Sequence, residues 1–201
     1  KGVANTMPEG NALNTAMLAQ FAADAAAGSL PQVSWIIAPA QYSEHPGPSS
    51  PLQGAWYVQQ VLDILTADPA LFARTVFLVN FDENDGFFDH VPPPCAPSLN
   101  SDGSLAGDST LGDIASEYHS GSEYQGRVYG PGPRVPMLVI SPWSRGGWVN
   151  SQSFDHTSVL RFLEARFGVA ETNISAWRRT FCGDLTSCFN FVDPNSEQVG
   201  G

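Results

Sequence analysis

One polar segment of the sequence carries adjacent carboxylates that are suited to metal binding or catalysis. Asp82 and Glu83 directly follow residues 75–81, an apolar and β-branched run that is the strongest strand signal in the chain. Adjacent carboxylates repel each other unless a cation neutralises them, and hard divalent metals prefer such oxygen ligands. The composition Asp-Glu-Asn-Asp-Gly is also typical of a solvated turn, so spacing alone leaves a metal site and a turn open.

Histidines supply the second set of candidates. His45 lies beside Pro46, which restricts the loop, so it is either a catalytic residue or a surface residue. His90 follows Asp89, and either Asp89 or Asp85 could orient its ring, whereas His119 lies in a long irregular stretch and receives no role. His156 stands at the start of a predicted helix, where a capping or core role is the favoured interpretation.

The elements that must position these residues follow from hydrophobic periodicity and from Gly and Pro breakers. Strand and helix patterns alternate, which predicts an α/β fold with a parallel sheet. In such sheets ligands bind at the carboxyl ends of the strands, where Glu44-His45, Asp82-Glu83 and the segment 141–145 would lie. Helices are predicted at 11–27, 55–67 and 155–167, and strands at 32–38, 75–81 and 135–140.

Charge and hydropathy exclude some classes of function. The formal net charge of −11 repels the phosphates of nucleic acids, so no nucleic-acid partner is expected. A negatively charged substrate would need a local cation or metal. The sequence contains no run of 18 apolar residues, so no transmembrane segment is expected.

The cysteines and the composition bear on the cellular compartment. Cys182 and Cys188 are close enough in sequence for a small disulfide loop, which leaves Cys95 over, and two unpaired thiols are the alternative. Pairing is expected if the protein is exported. The low lysine content and the abundance of Gly and Pro are typical of an exported protein, so a secreted or periplasmic location is predicted.

Long stretches of the sequence resemble a known family. WIIAPAQYSEHPGPSSP around His45, TVFLVNFDENDGFFDHVPPP around Asp82, and YGPGPRVPMLVISPWSRGGWVN followed by SFDHTSVLRFLEARF are similar to the phosphocholine-preferring phospholipase C branch of the bacterial phosphoesterase family. That family also includes an acid phosphatase. The resemblance covers most of the chain outside residues 95–128.

The resemblance implies an alkaline-phosphatase-like α/β fold, a parallel-sheet sandwich, of which residues 1–201 would be the C-terminal portion of a single catalytic domain. It implies that Asp82 and Glu83 bind one divalent metal ion of unknown identity. It also implies that His45 contacts the phosphoryl group. Arg145 and the run from Asp155 to Thr157 match family positions that we interpret as supporting the fold.

One departure from the family pattern is equally informative. The family's first metal motif and its nucleophile segment are absent from this sequence and are expected upstream of Lys1. The predicted function is a phospholipase C that releases phosphocholine from phosphatidylcholine or sphingomyelin through a covalent Ser/Thr phospho-enzyme. An acid phosphatase acting on phosphomonoesters, and an inert fragment that needs a partner chain, are the alternatives. Without the missing N-terminal part the chain is expected to be inactive.

Overall fold

The computed structural model describes residues 14–84, 86, 90–111, 114–121, 123, 126–144 and 146–195, with side chains from residue 17 onward. They fall into two compact units, a first unit of residues 1–79 with 138–142 and a second unit of residues 80–137 with 143–201. The helices and strands are α1 (Asn14–Ala26), α2 (Pro51–Thr66), α3 (Pro69–Phe72), β1 (Phe77–Asn80), β2 (Met137–Ile140), α4 (Thr157–Phe167) and α5 (Ala176–Phe181).

The core of the first unit is formed by α1 and α2. Tyr57, Val61 and Leu65 follow one another at intervals of four residues, so they share one face of α2, and they pack with Leu18 of α1. Helix α2 begins before the predicted residue 55 because the Ser50 side chain caps it, accepting a hydrogen bond from the amide of the third helical residue, and because proline follows.

The sheet differs from the sequence prediction in direction and in size. Strands β1 and β2 pair in a two-stranded antiparallel sheet. The Ser141 hydroxyl, just after β2, donates to the carbonyl of Thr75, just before β1, at 2.7 Å, so the end of β2 lies beside the start of β1. The prediction of a parallel sheet is therefore wrong for this pair of strands.

The predicted strand at residues 32–38 is also wrong, because this segment belongs to neither strand of the described sheet. Trp35 and Ile37 are 66% and 67% exposed, whereas Ile36 and Ala38 are partly buried and pack against the core of the first unit. A strand needs backbone partners on at least one side, and the part of the chain that the structure describes supplies none to this segment.

The second unit contains α4 and α5. Helix α4 ends at Gly168, as predicted, because this glycine adopts the left-handed φ of 67° that closes a helix. Helix α5 is absent from the sequence prediction. It is joined to α4 by Arg179, which makes two hydrogen bonds of 2.7 and 2.8 Å to the Glu164 carboxylate. Those bonds, with the Glu171 amide, lower the pKa of Glu164 to about 2.

The fold class is confirmed only in its coarser form. Helices combined with a small sheet are compatible with an α/β protein, whereas the alkaline-phosphatase-like sandwich stays a prediction. The assignment of residues 1–201 to one catalytic domain also stays a prediction. Among the described residues, no helix combines the length and the apolar character that crossing a membrane requires.

Candidate functional site

His45 lies in the first unit, in the loop that leads into α2. The loop is closed by a hydrogen bond of 3.2 Å from the Ser49 amide to the His45 carbonyl. The preceding residue, Glu44, adopts a φ of 66°, and its amide donates to the Ser49 hydroxyl at 3.0 Å. Because a left-handed backbone costs a residue with a side chain about 1 kcal/mol or more, these hydrogen bonds hold a strained turn directly before His45.

Helix α2 approaches this loop closely at Gly54. Gly54 is buried, and a Cβ atom added there would lie 2.2 Å from both Cγ and Oε1 of Glu44. Only glycine lets the Glu44 side chain pass this close to the helix without a steric clash. The helix therefore sets the path of the chain at the residue that precedes His45.

The imidazole of His45 is exposed and anchored on one side. Its Nδ1 atom lies 2.8 Å from the Pro46 carbonyl oxygen, which can only accept, so Nδ1 carries a proton and donates. Nδ1 is thus occupied by a hydrogen bond within the loop, and Nε2 is the ring nitrogen that can contact a ligand. The arrangement suits a donor to an anionic oxygen when the ring is fully protonated.

Asp82 and Glu83 lie in the second unit, two and three residues beyond the end of β1, and both are exposed. Their oxygens are accessible and are of the kind that a hard cation prefers. The described residues contain no group of three or more His, Cys, Asp or Glu side chains placed to hold a metal ion. The two carboxylates therefore fit a divalent metal as part of a ligand set, and the metal site remains a prediction.

The common site that was predicted for His45, Asp82 and Glu83 also remains a prediction, because the histidine lies in one compact unit and the carboxylates in the other. The third predicted loop contributes a buried Ser141, whose hydroxyl is already bound to the Thr75 carbonyl. Arg145, from the same loop, lies outside the described residues.

His156 makes a contact that spacing alone does not reveal. Its Nε2 atom lies 2.9 Å from the carbonyl oxygen of Phe81, the residue immediately before Asp82. The side chain is exposed, so a core role is wrong. It does occupy the N-cap position of α4, as expected for a capping residue, but its side chain makes no capping hydrogen bond. The histidine instead supports the backbone at the end of β1.

A buried ionic network fixes the start of α4. The Asp155 carboxylate accepts from the Thr157 amide at 2.9 Å and from Arg178 at 2.6 Å. Arg178 also lies 3.2 Å from a carboxylate oxygen of Glu117, which is 2% exposed and accepts from the Ser175 hydroxyl. Neither Glu117 nor Arg178 was predicted to have a role, because only the fold brings these charges together.

The cysteines are free thiols in the structure. Cys182 and Cys188 are buried but unpaired, and Cys95 is exposed, so the disulfide expected for an exported protein is not formed. Burial and the nearby Asp155 carboxylate raise the pKa of Cys182 to about 12. A thiol with so high a pKa is not a nucleophile near neutral pH.

Aromatic side chains surround the segment that precedes His45. The Tyr42 ring stacks on Trp56, with centroids 5.1 Å apart, and on Tyr57 at 5.6 Å. Tyr57 is buried in the core of the first unit, whereas Trp56 is 44% exposed. The stack therefore joins the core to an accessible aromatic surface, and such a surface can attract a quaternary ammonium group through cation–π interaction.

The sequence is similar to those of several known bacterial proteins. It is 64% identical over 189 residues to a non-hemolytic phospholipase C of Pseudomonas aeruginosa, covering 93% of this chain and 27% of that protein. It is 52% identical to the hemolytic phospholipase C of the same bacterium, covering 90% and 23%. Phospholipase C B of Mycobacterium tuberculosis is 46% identical, with coverage of 87% and 32%.

The chain thus spans between about a quarter and a third of the length of these relatives. The model of the phosphoesterase family matches residues 3–170, which include His45, Asp82 and Glu83. This match extends over most of the chain and contains the segments around His45, Asp82 and Asp155 that carried the resemblance. The chain belongs to the phosphoesterase family.

Proposed function

We propose that this chain supplies metal-binding and phosphate-binding residues to a phosphoric ester hydrolase, most specifically a phospholipase C. The observation that carries the proposal is the accessible Asp82-Glu83 pair, separated from the end of β1 by one residue. The identity of 64% to a non-hemolytic phospholipase C, over a stretch that includes most of the chain, supports it. Below, "complete enzyme" means this chain together with the segment that supplies the nucleophile.

In the proposed mechanism Asp82 and Glu83 provide oxygens to one divalent metal ion. The metal would neutralise negative charge on the substrate phosphate and lower the pKa of the attacking hydroxyl. His45, held at Nδ1 by the Pro46 carbonyl, donates from Nε2 to a phosphoryl oxygen and stabilises charge that develops there. A Ser or Thr from outside this chain attacks phosphorus and displaces the diacylglycerol or ceramide alkoxide, which takes up a proton. The phosphocholine ester left on that Ser or Thr is then hydrolysed by water, which releases phosphocholine and restores the hydroxyl.

The substrate in this proposal is a choline phospholipid, either phosphatidylcholine or sphingomyelin, cleaved to release phosphocholine. Tyr42 lies three residues before His45 in sequence and stacks on the accessible Trp56 ring. This aromatic stack supports recognition of a trimethylammonium group. A hydrolase for simple phosphomonoesters would have no use for such a surface. Acid phosphatase activity is therefore the alternative that the assay below separates from the proposal.

The complete enzyme is proposed to act outside the cytoplasm, either secreted or in the periplasm. The low lysine content and the abundance of Gly and Pro support this location. Fractionation of the producing bacterium, with phosphocholine ester hydrolysis assayed in each fraction, tests it.

The complete enzyme should hydrolyse a chromogenic phosphocholine ester faster than the matching phosphate monoester. Removal of divalent metal by a chelator should abolish turnover, and re-addition should restore it. The variant Asp82→Ala should lose 10²-fold or more of the turnover, an order of magnitude typical for a lost metal or charge-stabilising group. Preference for the monoester would favour an acid phosphatase, and full activity in the chelated protein would contradict the metal assignment.

A further inference from the structure

We infer that His156 is a positioning residue that fixes the direction of Asp82 and Glu83 by holding the main chain at Phe81; the inference rests on the proposed function of the two carboxylates. His156 and Phe81 are 75 positions apart in sequence, and the Nε2 to oxygen distance is 2.9 Å. Because a carbonyl oxygen can only accept, Nε2 carries the proton and donates.

This hydrogen bond is important because it holds the residue that lies between the end of β1 and the two carboxylates. Strand β1 ends at Asn80, so Phe81 lies beyond the last residue that the strand holds in place. The next two residues are Asp82 and Glu83. A hydrogen bond to the Phe81 carbonyl therefore restrains the peptide plane that leads into the carboxylates, and a ligand pair needs such restraint to present its oxygens in one geometry.

His156 can do this because its own position is strongly determined. It directly precedes α4, and the residue before it, Asp155, binds the first turn of the helix through the Thr157 amide and hydroxyl. The Asp155 amide in turn donates to the hydroxyl of Ser158, which is completely buried. The backbone on which His156 stands is thus fixed at several points within one helical turn.

The restraint continues into the interior of the second unit. Arg178 of α5 binds Asp155 at 2.6 Å and Glu117 at 3.2 Å. The Asp155 and Glu117 side chains are only 5% and 2% exposed, so both charges are desolvated and depend on the guanidinium. A buried pair of this kind breaks at high cost, which makes it a rigid support for the start of α4.

Because His156 is exposed, a role in positioning the carboxylates can be distinguished from a role in stabilising the fold. An exposed side chain that exchanges a hydrogen bond with water contributes little to folding. Its loss should therefore change the affinity for a metal far more than it changes the melting temperature. A residue needed only for folding would show the opposite pattern.

The test compares four variants of the complete enzyme: His156→Ala, His156→Gln, Asp82→Ala and Asp68→Ala. The Gln amide nitrogen reaches about as far as Nε2 and can donate to the same carbonyl. Asp68 is the matched control, because its side chain caps the start of α3 through the Ala70 amide and has no role in the proposed site. Mn²⁺ affinity is measured by titration followed by electron paramagnetic resonance, beside kcat, KM and Tm.

His156→Ala should weaken Mn²⁺ binding 10- to 100-fold, the range known for residues that orient metal ligands, and lower kcat at limiting Mn²⁺. KM and Tm should change little, with Tm within about 3 °C of the parent. His156→Gln should recover most of the affinity, and Asp68→Ala should bind Mn²⁺ like the parent.

The outcomes separate the inference from the proposed function. Unchanged Mn²⁺ affinity in Asp82→Ala would contradict the metal role of the carboxylates, and with it the function on which the inference rests. Loss of affinity in Asp82→Ala beside normal affinity in His156→Ala would overturn the inference alone. Equal losses in His156→Gln and His156→Ala would also overturn it, because a donor at the same reach should then have restored the contact.

Discussion

The two nitrogens of His45 have different surroundings, and this difference defines what the residue can do. Nδ1 donates a hydrogen bond of 2.8 Å to the Pro46 carbonyl oxygen, within the same loop. The ring is exposed, so its remaining nitrogen is accessible to a ligand. The local contact thus acts as an orienting group for the donor that the proposed mechanism requires.

Substitution of His45 in the complete enzyme should separate the roles of its two nitrogens. His45→Ala should lower turnover by about 10²-fold or more, because a donor to the developing charge is lost. His45→Asn keeps a donor near the Nδ1 position and should be equally damaged. His45→Gln places a neutral donor near the Nε2 position and should recover part of the turnover.

Steady-state turnover of a phosphocholine ester measures these effects. His119→Ala is a suitable control, because that ring packs on Tyr129, with centroids 4.2 Å apart, and has no proposed role. Full activity in His45→Ala would show that the histidine does not contact the phosphoryl group. Full activity in His45→Asn would show that only the loop contact matters.

At the scale of elements, the close contact between α2 and the His45 loop depends on a glycine, Gly54, which has no side chain. Gly54 lies within the helix, where glycine is less favourable than alanine by about 1 kcal/mol. The structure accounts for the glycine through its contact with Glu44, since a Cβ would lie 2.2 Å from that side chain. Packing against the loop therefore overrides helix propensity at this position.

Gly54→Ala should accordingly destabilise the complete enzyme by about 1–3 kcal/mol, the usual cost of an overpacked contact, and should lower turnover by displacing the loop. The double variant Gly54→Ala/Glu44→Gly removes the side chain that clashes and also relieves the positive φ of residue 44. It should recover most of the stability and turnover. Urea unfolding and steady-state kinetics of both single variants and the double variant give the coupling between the two positions.

Gln59→Ala, on an exposed position of the same helix, controls for general effects of substitution in α2. If Gly54→Ala is as stable as the parent, or if the double variant recovers nothing, the proposed contact does not set the path of the loop.

At the scale of the whole molecule, the proposed mechanism requires a nucleophile from outside this chain. The chain offers candidate metal and phosphate ligands, but two serines at the candidate loops, Ser43 and Ser141, are otherwise engaged. Ser43 donates to the Ala40 carbonyl at 2.9 Å, and Ser141 donates to the Thr75 carbonyl at 2.7 Å. A serine nucleophile requires a base or metal to accept its proton, and a main-chain carbonyl cannot serve as one.

The 201-residue chain by itself should therefore show no phosphoesterase activity above background. Phosphoryl transfer requires a nucleophile in line with the leaving oxygen, and positioning supplies much of the reduction in the barrier. The measurement is hydrolysis of a chromogenic phosphocholine ester in the presence of each of several divalent metals, with the complete enzyme as the positive control. Metal-dependent turnover that disappears in Asp82→Ala would place the nucleophile inside this chain.

Several features of the protein were determined by the sequence alone. The periodic apolar residues of α1, α2 and α4 and the stop at Gly168 were predicted, because a helix closes its hydrogen bonds within four residues and its signals are local. The adjacency of Asp82 and Glu83 beyond a strand was equally local. The family followed from long motifs and is confirmed by the match to residues 3–170.

Only the tertiary structure decided which distant groups meet. Strand pairing joins residues far apart in sequence, so periodicity could not show that β1 and β2 run antiparallel or that residues 32–38 remain outside the described sheet. The same reason applies to the polar contacts: His156 reaches Phe81 across 75 positions, and Arg178 reaches Asp155 across 23. Such contacts leave no periodic trace in the sequence, because the fold, and not the spacing, brings the partners together.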